Sequence, residues 1–322
     1  ARDGKTRVLK FGDDSPVGGG VFAAAEGDPK VYLLSSWVKG NLDKKAADLR
    51  DKRLLRFAPD SLARLTFHGK GQPVEFFRKS GNEWEITAPR KLRANNWEVE
   101  ELVRKLGDAK LDPALSAEQA KDLEKMFAAA APAGKATISG GEGTQSLEVR
   151  KSKDGKYYAR SSMVEGAHLL GEDLGKAFEK QLDDFRNKKL FDFGFSEPTR
   201  IEYSDSKLKF AAARSQEKWL RDGKTLDNVS VQSLIDKLRD LSAVSWPEGS
   251  LGSAEVTLVV VSNDGQRTEK VLLAKSGDKW RAQREGEPGL YEIETKPVDE
   301  LRSAAQAVKE QEPPKPAAPA KK

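Results

Sequence analysis

The chain has 322 residues, a formal net charge of +5, no cysteine and 37% hydrophobic content. That length and apolar content fill two or three hydrophobic cores, and the missing cysteines exclude disulfides and thiolate metal sites while suiting either a cytoplasmic or a bacterial periplasmic setting. No run approaches the roughly 20 apolar residues that cross a bilayer, and the tail from Gln311 to Lys322 carries three lysines and one glutamate, so only +3 remains on the rest.

Taken in chain order, Thr6 to Phe11 reads as a strand, Gly18-Gly19-Gly20 as a turn and Val31 to Leu34 as a second strand. A helix with the apolar stripe Val38, Leu42, Ala46 and Leu49 follows, ending in Asp48-Leu49-Arg50-Asp51-Lys52-Arg53-Leu54-Leu55. Arg64, Leu65 and Phe67 mark the next strand and Trp84 a later one, after which Asn95 or Asn96 caps a helix burying Val99, Leu102, Val103 and Leu106. Ser116 to Gln119 has the spacing of a capping box and opens a helix through Ala130.

The pattern then starts again. Ala136 to Ser139 and Thr144 to Arg150 flank the Gly140–Gly143 cluster as a hairpin, and Tyr157 to Arg160 and Ala167 to Leu170 extend it into a meander. A helix from Glu172 carries Leu174, Phe178, Leu182 and Phe185 on one stripe and ends in Asp184-Phe185-Arg186-Asn187-Lys188-Lys189-Leu190-Phe191, the earlier octapeptide repeated 136 positions on. Strands at Arg200 to Ser204, Lys207 to Ala213 and Lys218 to Leu220 precede a helix capped by Asp227 or Asn228, with Val231, Leu234, Ile235, Leu238 and Leu241 inward; Trp219 falls close to the repeat of Trp84. A third, shorter copy runs from the hairpin Ala254 to Ser262 and Arg267 to Ala274, through Leu290 to Ile293, to a helix at Val298 to Val308.

The expected class is α+β: tandem internal repeats of antiparallel β-meander plus amphipathic helices. The units are residues 1–113 (first strand missing), a linking helix 114–133, residues 134–250, a partial unit 251–309, and a Pro/Ala/Lys tail 310–322 that reads as an extended tether. Copies two and three open on a hairpin whereas copy one begins past it, so the chain is expected to be a piece whose upstream part supplied a strand and an N-terminal membrane anchor.

No catalytic signature emerges. His168 sits where copies one and three carry Tyr32 and Tyr291, which favours packing; His68 falls in a predicted turn; adjacent pairs such as Asp13-Asp14 and Asp183-Asp184 point to different sides. Calcium-loop, phosphate-loop and nucleophile-elbow spacings are missing, so no cofactor and no metal site is expected. Cations are interspersed with nearly as many acids and no aromatic-studded basic face emerges, which argues against nucleic acid. The one candidate motif is the repeated octapeptide, whose Arg50, Lys52, Arg53, Arg186, Lys188 and Lys189 are candidate partner or anion contacts. Its simpler explanation is that cations gather where helix carbonyls make the end negative while Leu54, Leu55, Leu190 and Phe191 enter the core, leaving the cations exposed.

The run from Val31-Tyr32-Leu33-Leu34 through the Leu-Arg-Asp-Lys element at Leu49 to Lys52, followed by Trp84-Glu85-Ile86-Thr87-Ala88-Pro89 and a Leu-rich helix, resembles the bacterial domain of unknown function 4340. Copy two departs from it, with Phe-Arg-Asn-Lys at Phe185 to Lys188 and no proline after Trp219. The resemblance implies a single-pass, membrane-anchored protein with a large extracytoplasmic part, of a kind often encoded beside ABC transporters similar to gliding-motility auxiliary components, and it brings no catalytic residue. The expected function is therefore a non-enzymatic, periplasmic or extracytoplasmic accessory or scaffold region that meets a membrane transport complex, or another extracytoplasmic protein, through protein contacts. A ligand-binding module using clefts between units, or a hydrolase, are the alternatives.

Overall fold

The computed structural model describes residues 6–44, 51–111, 116–140, 143–194 and 196–312. Strands β1 (Leu9–Asp14), β2 (Gly20–Ala25) and β3 (Val31–Ser35) form a three-stranded antiparallel sheet, followed by helix α1 (Ser36–Leu42). The second sheet takes β4 (Leu62–His68), β5 (Val74–Ser80), β6 (Glu83–Ala88) and β7 (Leu92–Arg93), then β8 (Ala131–Gly140), β9 (Gly143–Lys151), β10 (Tyr157–Ser161) and β11 (Ala167–Leu170). Its order is β11-β10-β9-β8-β4-β5-β6-β7, two meanders joined where β4 meets β8. The third sheet repeats that order with β12 (Arg200–Ser204), β13 (Lys209–Ser215), β14 (Lys218–Arg221), β15 (Lys224–Thr225), β16 (Val256–Ser262), β17 (Arg267–Ser276), β18 (Lys279–Arg284) and β19 (Tyr291–Ile293), joined where β12 meets β16.

Each large sheet buries one face under helices. Along β16, Val256, Leu258, Val260 and Ser262 point inward in strict alternation, as the two-residue period of a strand requires. Against that face lie α5 (Asn228–Asp240), burying Val231, Leu234, Ile235 and Leu238, and α6 (Thr295–Ala307), burying Val298, Leu301, Ala304 and Ala305. Each fully buried aliphatic side chain of this kind contributes about 1.5–3 kcal/mol. The second sheet is covered by α2 (Asn96–Asp108) and the short α4 (Glu172–Ala177). Helix starts are set locally: Asn95 accepts from the Glu98 N–H at 3.4 Å and Asp227 from the Ser230 N–H at 2.9 Å. Helix α3 (Ala117–Ala129) opens on the expected capping box between Ser116 and Gln119.

The sheets are out of phase with the sequence copies. The second sheet joins strands from unit 1–113 to strands from unit 134–250, and the third joins strands from 134–250 to strands from 251–309. Helix 117–129 does more than link: it packs on the outer face of β10 and β11, where Phe127, Ala130, Tyr158 and Ala167 form a small core of their own.

Two expected helices differ. The one from Glu172 to Phe185 stops at Ala177, and Leu182–Phe185 forms a separate 3-10 turn opened by extended Gln181, whose N–H donates to Asp184 at 2.8 Å. In an unbroken helix Phe178 and Phe185 would stand about 10 Å apart along the axis; the break lets both rings reach Phe67, with centroids at 5.1 and 5.4 Å. In the first copy, α1 ends at Leu42 with no buried residue, so Val38 and Leu42 do not form the expected buried stripe, and Ala46 and Leu49 lie outside the described residues. The physical reason is that no second meander among the described residues stands beside the first sheet for that helix to cover.

Candidate functional site: the charged seam between the large sheets

The octapeptide is a tie between modules. Leu54 N–H donates to Ala109 O at 2.8 Å and Leu111 N–H to Lys52 O at 2.7 Å, which seats Leu54 and Leu55 in the second core. The repeat does the same: Leu190 N–H donates to Leu241 O at 3.0 Å and Ala243 N–H to Lys188 O at 2.8 Å, seating Leu190 and Phe191 in the third core. The front of this copy belongs to the other module. Asn95 N–H donates to Phe185 O at 2.7 Å, Asn187 N–H donates to Arg93 O at 3.0 Å, and the Phe185 ring lies edge-on to Phe76 in the second core. Within eight residues the chain crosses from one core to the next.

The cations singled out in the sequence are not gathered into one patch. Lys52 and Arg53 lie beside the chain that follows α2, with Arg53 forked onto Asp51 at 3.0 and 2.8 Å; that ion pair holds the Asp51 carboxyl down at about 2. Lys188 and Lys189 are exposed beside the chain that follows α5, Lys189 lying 3.8 Å from Asp240. Arg50 lies outside the described residues. Arg186 corrects the expectation of an exposed cation: it is 3% exposed, stacked 4.2 Å over the Trp246 ring and paired with Asp183 at 3.1 Å. Burial lowers its pKa below that of an ordinary arginine, although Asp183 opposes the shift. His168 is buried on β11 with Nε2 3.2 Å from the Glu165 carbonyl, and burial holds its pKa below the usual histidine value.

Among the described residues a dense polar cluster lies where the two modules meet, and it falls outside the residues singled out from the sequence. Arg93, at the end of β7, reaches into the third-sheet module. It contacts Asp192 and Glu287 at 2.6 Å each as ion pairs off the line of its N–H bonds, while Nη2 donates to Lys189 O at 2.5 Å and to the Tyr291 hydroxyl at 3.2 Å. Arg284 from β18 pairs with Glu269 at 3.0 Å and Glu287 at 2.7 Å, and donates to the Leu190 carbonyl. Glu269 also accepts from the Asp192 N–H at 2.9 and 3.1 Å, and Tyr291 donates to Glu287 at 2.5 Å. Burial alone would lower the Arg93 pKa; the facing Asp192, Tyr291 and Glu287 outweigh it and lift the guanidinium above an ordinary arginine, so it stays charged. Burial pushes the Tyr291 phenol up.

Beside this cluster opens a polar cleft of about 490 Å³, lined by Lys79, Glu83, Glu85, Arg93, Asn187, Asp192, Arg267 and Glu269 among others. Arg267 donates to Asp192 O at 2.7 Å, and Asn187 donates to the Asp192 carboxylate at 2.8 Å. The clustered acids and cations are thus mutually committed. The arrangement holds two sheets in register, and Asp192 and Glu269, although they line the cleft, are each held by a guanidinium group. A signal did exist in the sequence: Glu269 precedes Val271 and Leu273, and Arg284 follows Trp280 and Ala282, so each puts a charge at an inward strand position where alternation calls for an apolar residue. Among the described residues no group of three or more His, Asp or Glu has the geometry to hold a metal ion, and no helix is long and apolar enough to cross a membrane.

Comparison with known families finds one model, described as a domain of unknown function (DUF4340), which matches residues 1–83 and again 84–257. The chain belongs to this family. No curated protein and no solved structure matches it.

Proposed function

We propose that this chain is a non-enzymatic, extracytoplasmic accessory or scaffold region of a membrane-anchored protein that works with an ABC-type transport complex through protein–protein contacts. One observation carries the reading: Arg93 of the second-sheet module is committed to Asp192 and Glu287 of the third-sheet module, where Glu269 and Arg284 pair with one another beside it, so among the described residues this charged cluster serves the junction of two sheets. A chain that uses its charges to fix the relative position of two modules is suited to presenting surfaces at a set spacing, as repeat proteins do. The resemblance noted for the first copy supplies the membrane anchor and the transporter context.

Two measurements test this. Affinity capture of the full-length, anchored protein from its native membrane is expected to retrieve the membrane-spanning and ATP-binding subunits of a transporter; their reproducible absence overturns the transport role. Assay of the purified chain against generic ester, phosphate ester, glycoside and peptide substrates, with and without divalent ions, is expected to give background only. A turnover abolished by His168→Ala or Asp192→Asn overturns the scaffold reading in favour of an enzyme.

A further inference from the structure

Three strand pairs of this chain are structural copies of one another, and their outer faces have three different fates. In the second sheet Tyr158 pairs with Leu169 and Arg160 with Ala167, so these four residues share the face turned away from the sheet's main core. Helix 117–129 lies on that face: Phe127 packs with Tyr158 and Ala167, Arg160 stacks 4.4 Å over the Phe127 ring, and Arg160 also pairs with Glu124. In the third sheet the corresponding pair is Arg281 with Glu292. Here the face is polar, and the chain at 244–250 covers it: Val244 N–H donates to Glu292 O at 2.8 Å, Ser245 donates to the Glu292 carboxylate at 3.0 Å, and Arg281 donates to Ser250 O at 3.1 Å.

The first sheet keeps the register of the second, with Phe22 paired to Leu33 and Ala24 to Val31. Its outer face is apolar like the helix-covered one, yet Phe22 is 40% exposed where Tyr158 is 3%, and Val31 is 68% exposed where Ala167 is 3%; Leu33 is exposed as its counterpart Leu169 is. Of the fifteen large apolar side chains exposed among the described residues, nine fall between Val8 and Leu42. The apolar faces of helices 96–108, 228–240 and 295–307 are buried on their own sheets, and helix 117–129 is already placed on β10 and β11.

We infer that the Phe22–Val31 face docks one amphipathic helix of a partner polypeptide, seated as helix 117–129 is seated on Tyr158 and Ala167. The equivalence also sets the chemistry of that helix. Ala24 stands where the second sheet has Arg160, so the partner carries an apolar residue where helix 117–129 carries Glu124. Lys10, paired with Ala24 on the same face, stands where the second sheet has Glu148 paired with Arg160, so the flank of the partner helix is acidic there. The inference rests on the proposed scaffold function and names the kind of contact one of its surfaces makes.

The probe is a fluorescent peptide with the sequence of Ser116 to Ala131 carrying Glu124→Ala, titrated into the 322-residue chain. Saturable binding is expected, weakened at least tenfold by Phe22→Glu and by Val31→Glu and unchanged by Leu169→Glu, which marks the equivalent face of the second sheet. The unaltered peptide should bind more weakly than the Glu124→Ala form. Because Phe22 and Val31 are exposed, both variants should melt with the parent chain, and that melt is the check on folding. The proposal is overturned by no saturable binding, by a loss that follows Leu169→Glu instead, by sedimentation showing that Val31→Glu converts a dimer to a monomer, or by partition of the chain onto anionic vesicles through these residues. A failure here leaves transporter capture by the full-length protein untouched, so the two readings fail separately.

Discussion

The second and third sheets solve one problem with different chemistry. In the second, Gln145 from β9 accepts from the Arg56 N–H at 2.7 Å and donates back to Arg56 O at 2.5 Å, while Ser161 at the end of β10 donates to Leu54 O. In the third, at the matching strand positions, Glu269 accepts from the Asp192 N–H and Arg284 donates to Leu190 O. Both pairs hold the same stretch of octapeptide onto the sheet; one pair is neutral and the other ionised. The difference follows the neighbourhood: Arg93 of the second-sheet module arrives beside Glu269 and Arg284, bringing a buried guanidinium that must be paired. The backbone tie is therefore intrinsic to each repeat, and its charge is a property of the junction.

The sharpest way to break the comparison is to remove one ion. Arg284→Met leaves Glu269 buried without its ion-pair partner and is expected to cost about 3–5 kcal/mol in denaturant unfolding, whereas Ser161→Ala at the equivalent position should cost about 1 kcal/mol. Equal losses would show that charge does not distinguish the two ties. Next in size, Leu54→Ala and Leu190→Ala should each lose about 2–5 kcal/mol and resemble one another, because both side chains are wholly buried at matching positions. A loss at only one would separate the repeats energetically.

Alkaline pH sharpens the contrast without a large structural change. The Tyr291 pKa is raised in the folded chain, first by burial, so its contribution is fully present below the ordinary tyrosine value of about 10 and is lost as pH rises through the higher folded value. Stability above pH ~10 should fall less steeply in Tyr291→Phe than in the parent; identical alkaline melts would remove Tyr291 from the seam. Smallest of all, Lys52→Ala and Lys188→Ala should each change stability by less than about 1 kcal/mol. A larger loss at either would reveal an ion pair of its own.

What could be read from the sequence divides by range. The caps at Asn95, Ser116 and Asp227 and the alternation of Val256, Leu258 and Val260 are local, and each was legible because the deciding groups lie within a few residues. The repeat itself was legible because the octapeptide at 48–55 recurs at 184–191. The pairing of β4 with β8 was not, because nothing within Leu62 to His68 specifies a partner some seventy residues on, beyond Ala131. Burial of Arg186 depends on Trp246, far along the chain, and a cation after a helix otherwise reads as exposed. Glu269 and Arg284 interrupt the alternation, but a charged residue in a strand has two explanations, an edge facing solvent or a buried partner, and only the fold shows the two paired with one another.

The half-repeat offset between sequence copies and sheets bears on where this polypeptide can be divided. A piece cut to the repeat, such as 134–250, takes β8 without β4 and β12 without β16, and so exposes two long strand edges whose unpaired amides and carbonyls invite association with other chains. Pieces divided inside the octapeptide, 51–187 and 188–312, each keep an eight-stranded sheet whole. Soluble expression should thus follow the sheets and not the repeat, so that the natural seam for dissecting the molecule is the very segment most alike between its copies.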